Sequence, residues 1–373
     1  MCRSSSHRAI LVQRVIGWSI KIVTHPRNNM HELQFPILWA LTTFYTGLLI
    51  LPSTPMLPTL TINLSLLFTV LLPILFAVAV VTTNTSPPNS ILTSFSPAWN
   101  NGTLANHNFC EEDYRYTQYI AEFHNTWSSL PIIFYGGLGP YYTRKYATKE
   151  LRFSCSFISI GAVGVGSTLF HGTLMRFGQV LDEVPMLCII FVGVFCFVEN
   201  QTHAKYGLWF PLLLAVMCIS LVVAYLIFYI YSLFLVAFSG GVVLLLIRGI
   251  LVLKTSSKLS ATILKIAAMS IVVGFTCWMS DDRWCSEVQW MRLHIGWHIG
   301  TGFGGYMFTL FLLSVRANKL GKEAHLVVTG FDFKGHWINK NNEYVSSGER
   351  PSFLLPYIEF SSLSQNKNNT KQD

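Results

Sequence analysis

Long apolar stretches alternate with short polar connections along most of the chain. Seven of these stretches between residues 118 and 315 are long enough to cross a bilayer, since about 20 apolar residues at about 1.5 Å rise each span the hydrocarbon core. We place them approximately at Gln118–Leu138, Phe153–Leu174, Val180–Val198, Leu208–Ala224, Ser232–Leu253, Ile263–Met279 and Met291–Val315. The pattern predicts an all-α membrane protein, a bundle of seven transmembrane helices.

One boundary inside this pattern has to be inferred from length. Residues 208–253 contain no charge except Arg248, and the run is far too long for a single crossing. We therefore divide it near residues 227–231.

The two ends of the chain differ from this core of residues 99–320. Residues 1–34 form a basic leader that we expect in the cytosol, and residues 35–98 form a hydrophobic anchor region with a polar linker. Within the anchor region, Leu60–Val81 is long enough to span a bilayer and is interpreted as a signal anchor, with a cleaved signal peptide as the alternative. Phe35–Leu51 is short and stays unassigned. The polar tail 321–373 is expected to be disordered.

Composition supports the membrane assignment and limits the possible partners. Hydrophobic residues make up 51% of the chain, charged residues 12%, and the mean hydropathy is +0.45. The net charge of +8 does not indicate nucleic-acid binding, because the basic residues lie in short clusters between apolar segments. These clusters follow spans one, five and seven, and include Arg144, Lys145, Lys149, Arg152, Lys254, Lys258, Arg316, Lys319 and Lys322.

These basic clusters also predict the orientation. With seven spans, all of them fall on one side, which the positive-inside rule makes cytosolic. The start of the core then faces the lumen and the C-terminus the cytosol. We expect an endoplasmic reticulum or Golgi membrane.

Ionisable residues near the predicted luminal face are the main candidates for chemistry. His171 ends span two, Asp182 and Glu183 open span three, and His294 and His298 begin span seven at an i, i+4 spacing. A lone histidine is more often a hydrogen-bonded core residue. Three histidines at one depth, with an intramembrane carboxylate, favour a catalytic zinc site with an open fourth position.

Each polar neighbour suits a step of hydrolysis. Zinc held by neutral imidazoles lowers the pKa of bound water. Asp182 is then the candidate proton acceptor, and Ser167, one helical turn before His171, is the candidate oxyanion donor. The alternative for Ser167 is that it is one of the small residues that let helices approach closely. Glu183 either orients a zinc ligand or caps the start of span three.

An acidic segment before span one is a second candidate metal site. Glu111, Glu112 and Asp113 lie in a loop, and Glu122 follows inside the apolar segment. Oxygen ligands from a flexible loop suit calcium. The alternative is an acidic cluster that complements the dipole of the following helix, which accounts poorly for Glu122.

The cysteines divide by location. Most of the eight lie inside spans and are interpreted as reduced packing residues. Cys110 and Cys285 fall in predicted luminal segments, where a disulfide is permitted.

Taken together, these motifs resemble the alkaline ceramidase family, seven-span hydrolases of the superfamily that also contains the adiponectin receptors. The resemblance covers about residues 99–316 and is carried by CEEDY, YIAEFHNT, GSTLFHGTL, QVLDEVPM, WMSDDRWC and HIGWHIGTG. It implies zinc ligands at His171, His294 and His298, assistance to hydrolysis by Ser167 and Asp182, and a Cys110–Cys285 disulfide. It also implies calcium ligands at Asn108, Phe109 through its backbone carbonyl, Glu111, Asp113 and Glu122.

The calcium loop departs from the family pattern in sequence. The family usually begins this loop with aspartate and tryptophan, where this chain has Asn108 and Phe109, and it has asparagine where this chain has Asp113. The ligand charge is redistributed and not lost, so calcium is still expected.

The resulting functional hypothesis is a zinc-dependent intramembrane amidase. Its substrate would be ceramide, drawn from the surrounding bilayer, and its products sphingosine and a fatty acid. One alternative is a related hydrolase of glycolipid-anchor acyl chains. Another is a heptahelical receptor in which zinc is structural.

Overall fold

The structure is a computed structural model, and it describes residue 99 and residues 103–202, 205–228, 230–327 and 355–362, with the backbone of strand residues 330–331, 337–338 and 344–345. The predicted leader 1–34 and anchor region 35–98 lie outside these residues.

Helices dominate the described part of the chain, which confirms the predicted fold class. The long helices are α1 (Phe123–Tyr142), α2 (Leu151–Thr173), α3 (Arg176–Val198), α4 (Trp209–Phe228), α5 (Tyr231–Val252), α6 (Lys258–Arg283) and α8 (His294–Lys319); α7 (Cys285–Val288) is short. Shorter turns of π- or 3₁₀-helix cover Thr143–Ala147, Leu253–Thr255 and Gln289–Met291. Six of the long helices, all except α1, are long and apolar enough to cross a membrane. The chain is therefore an integral membrane protein.

The boundaries of the helices follow local hydrogen bonding. The division of the run 208–253 is confirmed, since α4 ends at Phe228 and α5 begins at Tyr231. Helix α6 begins earlier than predicted because the Ser257 hydroxyl caps it, accepting a hydrogen bond from the Ser260 amide at 3.2 Å.

Helix α1 begins later than the predicted Gln118. The amides of Ala121 and Glu122 donate to the carbonyls of Gly172 and His171, each at 2.9 Å. The chain before α1 is thus bonded to the end of α2 and leaves no room for another helical turn.

The chain divides into two compact units. The described part of one is Leu213–Arg248, within α4 and α5. The other contains α1, α2, α3, α6, α8 and the terminal strands, and all the candidate site residues belong to it.

Within this second unit, α2 packs between α1 and α3, and α8 packs against α6 and α1. Glycines permit the closest approaches: a Cβ on Gly166 would lie 2.1 Å from the Leu181 carbonyl oxygen of α3. A two-residue turn connects α2 to α3, and its Leu174 has a left-handed φ of 50°. This turn brings the end of α2 and the start of α3 to the same end of the bundle.

The polar tail 321–373 was predicted to be disordered, but parts of it form strands. Strand β1 (Lys322–Val327) pairs antiparallel with β5 (Tyr357–Ser362), and β2 (Gly330–Phe331), β3 (Trp337–Ile338) and β4 (Tyr344–Val345) form a second sheet in that order. Tyr357 stacks on Tyr142 and Tyr146 with centroids 5.0 and 4.7 Å apart. A short aromatic segment thus orders part of a tail whose overall composition is polar.

Candidate metal centre and active site

Three histidines from two helices meet at one end of the bundle. His171 lies in the last turn of α2, and His294 and His298 lie in the first two turns of α8. Each offers a ligand nitrogen within 4.8 Å of the other two, and the side chains are only 1%, 2% and 3% exposed. No other such group of three occurs among the histidine, cysteine and acidic side chains that the structure describes. The predicted convergence of the imidazoles is therefore observed, and the group can hold a metal ion.

His171 is fixed by Glu122, which immediately precedes α1. The Glu122 carboxylate contacts His171 Nδ1, and the Glu122 amide donates to the His171 carbonyl. A carboxylate only accepts hydrogen bonds, so Nδ1 carries the proton and the lone pair remains on Nε2. Such a ring is ready to bind a metal through Nε2.

His298 and His294 have different surroundings. His298 Nδ1 lies 2.7 Å from the Ser128 hydroxyl of α1. His294 Nδ1 is buried without a hydrogen-bond partner in the described part of the chain, and the Phe109 ring packs on the imidazole at a centroid distance of 3.8 Å. A buried imidazole with an unused nitrogen, beside two other imidazoles, fits a metal site.

Ser167 of α2 lies beside the histidines. Its hydroxyl is 3.3 Å from His298 Nε2 and 2.8 Å from the hydroxyl of Ser129 on α1. Ser167 is 1% exposed, and it belongs to the same buried polar cluster as the histidines.

The structure gives the two acids of α3 separate surroundings. The half-buried Asp182 has no hydrogen bond or ion pair among the described residues, so none joins it to the three histidines. Glu183 is buried and accepts a hydrogen bond from Gln179 Nε2 at 2.9 Å. Because α3 begins at Arg176, Glu183 lies beyond the first turn, and its interpretation as a cap is wrong.

The acidic loop contains two oxygen atoms that suit a cation. Asn108 Nδ2 donates to Asp113 Oδ2 at 2.9 Å, while Asn108 Oδ1 and Asp113 Oδ1 are buried without partners among the described residues. Burial, together with the charges of Glu122 and Glu111, raises the pKa of Asp113 to about 6. A bound cation would satisfy these oxygens and relieve the repulsion.

Glu111, another expected calcium ligand, is held by protein donors, and the Phe109 amide, as distinct from the carbonyl expected to bind calcium, also has a partner. Glu111 accepts hydrogen bonds from the amides of His124 and Asn125 at 2.9 Å and from Arg292 Nη1 at 3.3 Å. Its carboxylate thus caps the start of α1, which agrees with the alternative interpretation that this acidic cluster complements the helix dipole. Phe109 donates its amide to Glu122 Oε1 at 3.1 Å.

The disulfide between Cys110 and Cys285 is present, with a Cα–Cα distance of 5.4 Å. It ties the acidic loop to the start of α7. The Gln289 side-chain amide reinforces this connection by donating to the Cys110 carbonyl at 2.9 Å. The predicted pairing is confirmed, and it holds the loop beside the segment that leads into α8.

Several residues that support the site were not predicted from the sequence. Ser128 and Ser129 contact His298 and Ser167, and Arg292 contacts Glu111. A usable signal was the polar run HNTWSS inside an apolar segment, since polar residues in a membrane helix usually face the protein interior.

Comparison with known proteins finds one family. A family model described as "Ceramidase" matches residues 102–338. A putative alkaline ceramidase of Dictyostelium discoideum, dcd3A, is 30% identical over 242 residues, which cover 55% of this chain and 84% of that protein. An alkaline ceramidase of Arabidopsis thaliana is 31% identical over 221 residues, covering 57% and 84%. The alkaline ceramidase YPC1 of Saccharomyces cerevisiae is 27% identical over 309 residues, covering 71% and 93%.

Proposed function

The chain belongs to the alkaline ceramidase family, and we propose that it cleaves the amide bond of ceramide taken from the bilayer, releasing sphingosine and a free fatty acid. We further propose that the reaction depends on zinc held by His171, His294 and His298.

The observation that carries this proposal is the buried cluster of three imidazoles, whose ligand atoms lie within 4.8 Å of one another. Three protein ligands with an open fourth position are characteristic of catalytic zinc sites. Zinc, when bound, supplies Lewis-acid polarisation of a carbonyl and lowers the pKa of water.

Ser167 and Asp182 have separate roles in this proposal. The Ser167 hydroxyl, at the edge of the histidine cluster, donates a hydrogen bond to the negative charge that develops on the amide oxygen. Asp182 has no hydrogen-bond partner among the described residues, and it accepts a proton from water as the water oxygen bonds to the acyl carbon. The C–N bond then breaks, and Asp182 passes that proton to the nitrogen, which leaves as the neutral amine of sphingosine while the acyl group leaves as the fatty acid.

Calcium is proposed for the acidic loop. Asn108 Oδ1 and Asp113 Oδ1 are the side-chain atoms best prepared for it, with Glu122, Glu111 and the Phe109 carbonyl as the remaining candidates. Glu111 would have to leave its hydrogen bonds at the start of α1 to take part. Because Glu122 also contacts His171, an ion in the loop would help to fix a zinc ligand.

We propose that the end of the bundle bearing the site faces the lumen of the endoplasmic reticulum or Golgi. The Cys110–Cys285 disulfide lies at this end, and disulfides persist in oxidising compartments. The basic clusters fall at the other end, as expected for the cytosolic side.

The test is lipid mass spectrometry of purified protein incubated with ceramide. Wild type should release sphingosine and fatty acid, and metal depletion should abolish release until zinc is restored. His298→Ala and Asp182→Ala should be inactive while remaining folded. Absence of product from folded, zinc-loaded wild type would instead favour a receptor in which zinc is structural. Full activity of Asp182→Ala would contradict the role proposed for Asp182. Preference for an ester lipid over the amide would favour the glycolipid hydrolase.

A further inference from the structure

We infer that Ser128 is a positioning residue for the metal centre, one that fixes the tautomer and ring orientation of His298 so that Nε2 is presented to the metal. The inference rests on the proposed zinc function and extends it to a residue of α1, a helix that contributes none of the three histidines.

The hydrogen bonds of Ser128 indicate which nitrogen of His298 carries the imidazole proton. Ser128 Oγ lies 3.0 Å from the carbonyl oxygen of Asn125 and 2.7 Å from His298 Nδ1. Ser129 Oγ also donates to the Asn125 carbonyl and is the more distant neighbour of His298 Nδ1, at 3.4 Å. The carbonyl can only accept, so the single hydroxyl proton of Ser128 is donated to Asn125. Ser128 Oγ therefore accepts from His298, which means that Nδ1 carries the imidazole proton and Nε2 carries the lone pair.

The same arrangement occurs at His171. There the partner of Nδ1 is Glu122, which also belongs to the start of the α1 region. Two imidazoles from two different helices thus have Nδ1 partners from one segment, residues 122–128. Metal-binding histidines commonly donate their second nitrogen to such a partner, and its loss typically weakens metal binding by about 10- to 100-fold.

A purely structural role for Ser128 has to be distinguished from positioning. Serine hydroxyls also link helices elsewhere in this protein: Ser156 of α2 lies 2.9 Å from Thr309 Oγ1 of α8, and both residues are buried. Ser156→Ala removes an equivalent interhelical hydrogen bond without touching a histidine. It is therefore a matched control for Ser128→Ala.

The experiment measures zinc affinity of the metal-depleted full-length protein in detergent, by competition with a chromophoric chelator. Ser128→Ala should bind zinc about 10- to 100-fold more weakly than wild type, whereas Ser156→Ala should match wild type. The visible spectrum of the cobalt-loaded protein should change in Ser128→Ala and stay unchanged in Ser156→Ala, because only the former alters the orientation of a ligand.

A second pair of variants keeps the test decisive if Ser128→Ala folds poorly. Ser128→Thr and Ser128→Val have nearly the same shape, and only threonine retains the hydroxyl. Threonine should hold zinc at least about 10-fold more tightly than valine. Equal affinity for the two, or wild-type affinity in Ser128→Ala, would overturn the inference. Absence of zinc binding by wild type would instead remove the proposed zinc function itself.

Discussion

Replacement of Glu122 by glutamine tests the connection between the acidic loop and the metal centre. Glu122 is 0% exposed, and its carboxylate is shared by three donors. Phe109 N lies 3.1 Å from Oε1, and Asn125 Nδ2 lies 3.0 Å from Oε2, which also contacts His171 Nδ1. Glutamine keeps the shape but has only one accepting oxygen.

The magnitude follows from these contacts. If the glutamine oxygen takes the position facing His171 and Asn125, its NH₂ group faces the Phe109 amide, and one buried donor loses its acceptor. That loss costs about 1–3 kcal/mol of unfolding free energy. The glutamine oxygen still accepts from His171 but carries no negative charge, so this hydrogen bond is weaker and zinc binding should also weaken by about 10-fold. Glu122→Ala would leave three donors without an acceptor, so it is expected to destabilise the fold too strongly for a clean measurement.

The assay compares Glu122→Gln with Glu112→Gln in the same acidic segment. Glu112 pairs with the exposed Arg115 at 3.1 Å, a type of contact worth at most about 1 kcal/mol. Denaturant unfolding in detergent gives the free energy, and chelator competition gives the zinc affinity. If Glu122→Gln matches Glu112→Gln in both measurements, the assignment of Glu122 as the support of His171 is refuted.

Three further predictions concern the loop, the helix packing and the disulfide. Because the pKa of Asp113 is raised from 3.8 to about 6, metal-free protein should lose stability as pH rises from the lower to the higher of these values, and calcium should restore stability above them. Asp113→Asn should reduce this loss and abolish the calcium effect in thermal unfolding, and a calcium effect that persists in this variant would contradict the loop assignment. Gly166→Ala places a methyl group 2.1 Å from a carbonyl oxygen of α3. This clash should lower the free energy of unfolding by about 1–3 kcal/mol and also lower the rate of ceramide hydrolysis. Wild-type values in both assays would count against the close packing of α2 on α3. Replacing Cys110 and Cys285 with serine should cost about 2–4 kcal/mol, and a reductant should destabilise wild type and not the variant.

The long helices were predictable because each requires an apolar stretch long enough to cross the bilayer, and such stretches recur along the chain. Apolar length alone places the long helices, and the division between α4 and α5 follows from the longest run that a bilayer accommodates. The residues at which helices begin and end were harder to predict from the sequence. Helix α1 begins at Phe123 because the preceding amides bond to the end of α2, and no local pattern encodes such a partner.

Some residues of the candidate site could be predicted from the sequence and others could not. His171, His294 and His298 stand out as ionisable residues in apolar segments, whereas Ser128 and Ser129 are small and common in membrane helices. Their importance depends on which residues they face across the bundle. Glu111 shows that residue type alone can also suggest the wrong partner. Its carboxylate suggested calcium binding, but in the fold it accepts hydrogen bonds from the amides at the start of α1.

The central claim, that three imidazoles hold zinc, is tested most directly by zinc-edge X-ray absorption of the purified protein. We predict one zinc per chain with imidazole nitrogens at about 2.0–2.1 Å, and loss of that signal in His294→Ala. Sulfur at about 2.3 Å in the zinc coordination shell, or an unchanged spectrum in His294→Ala, would contradict it.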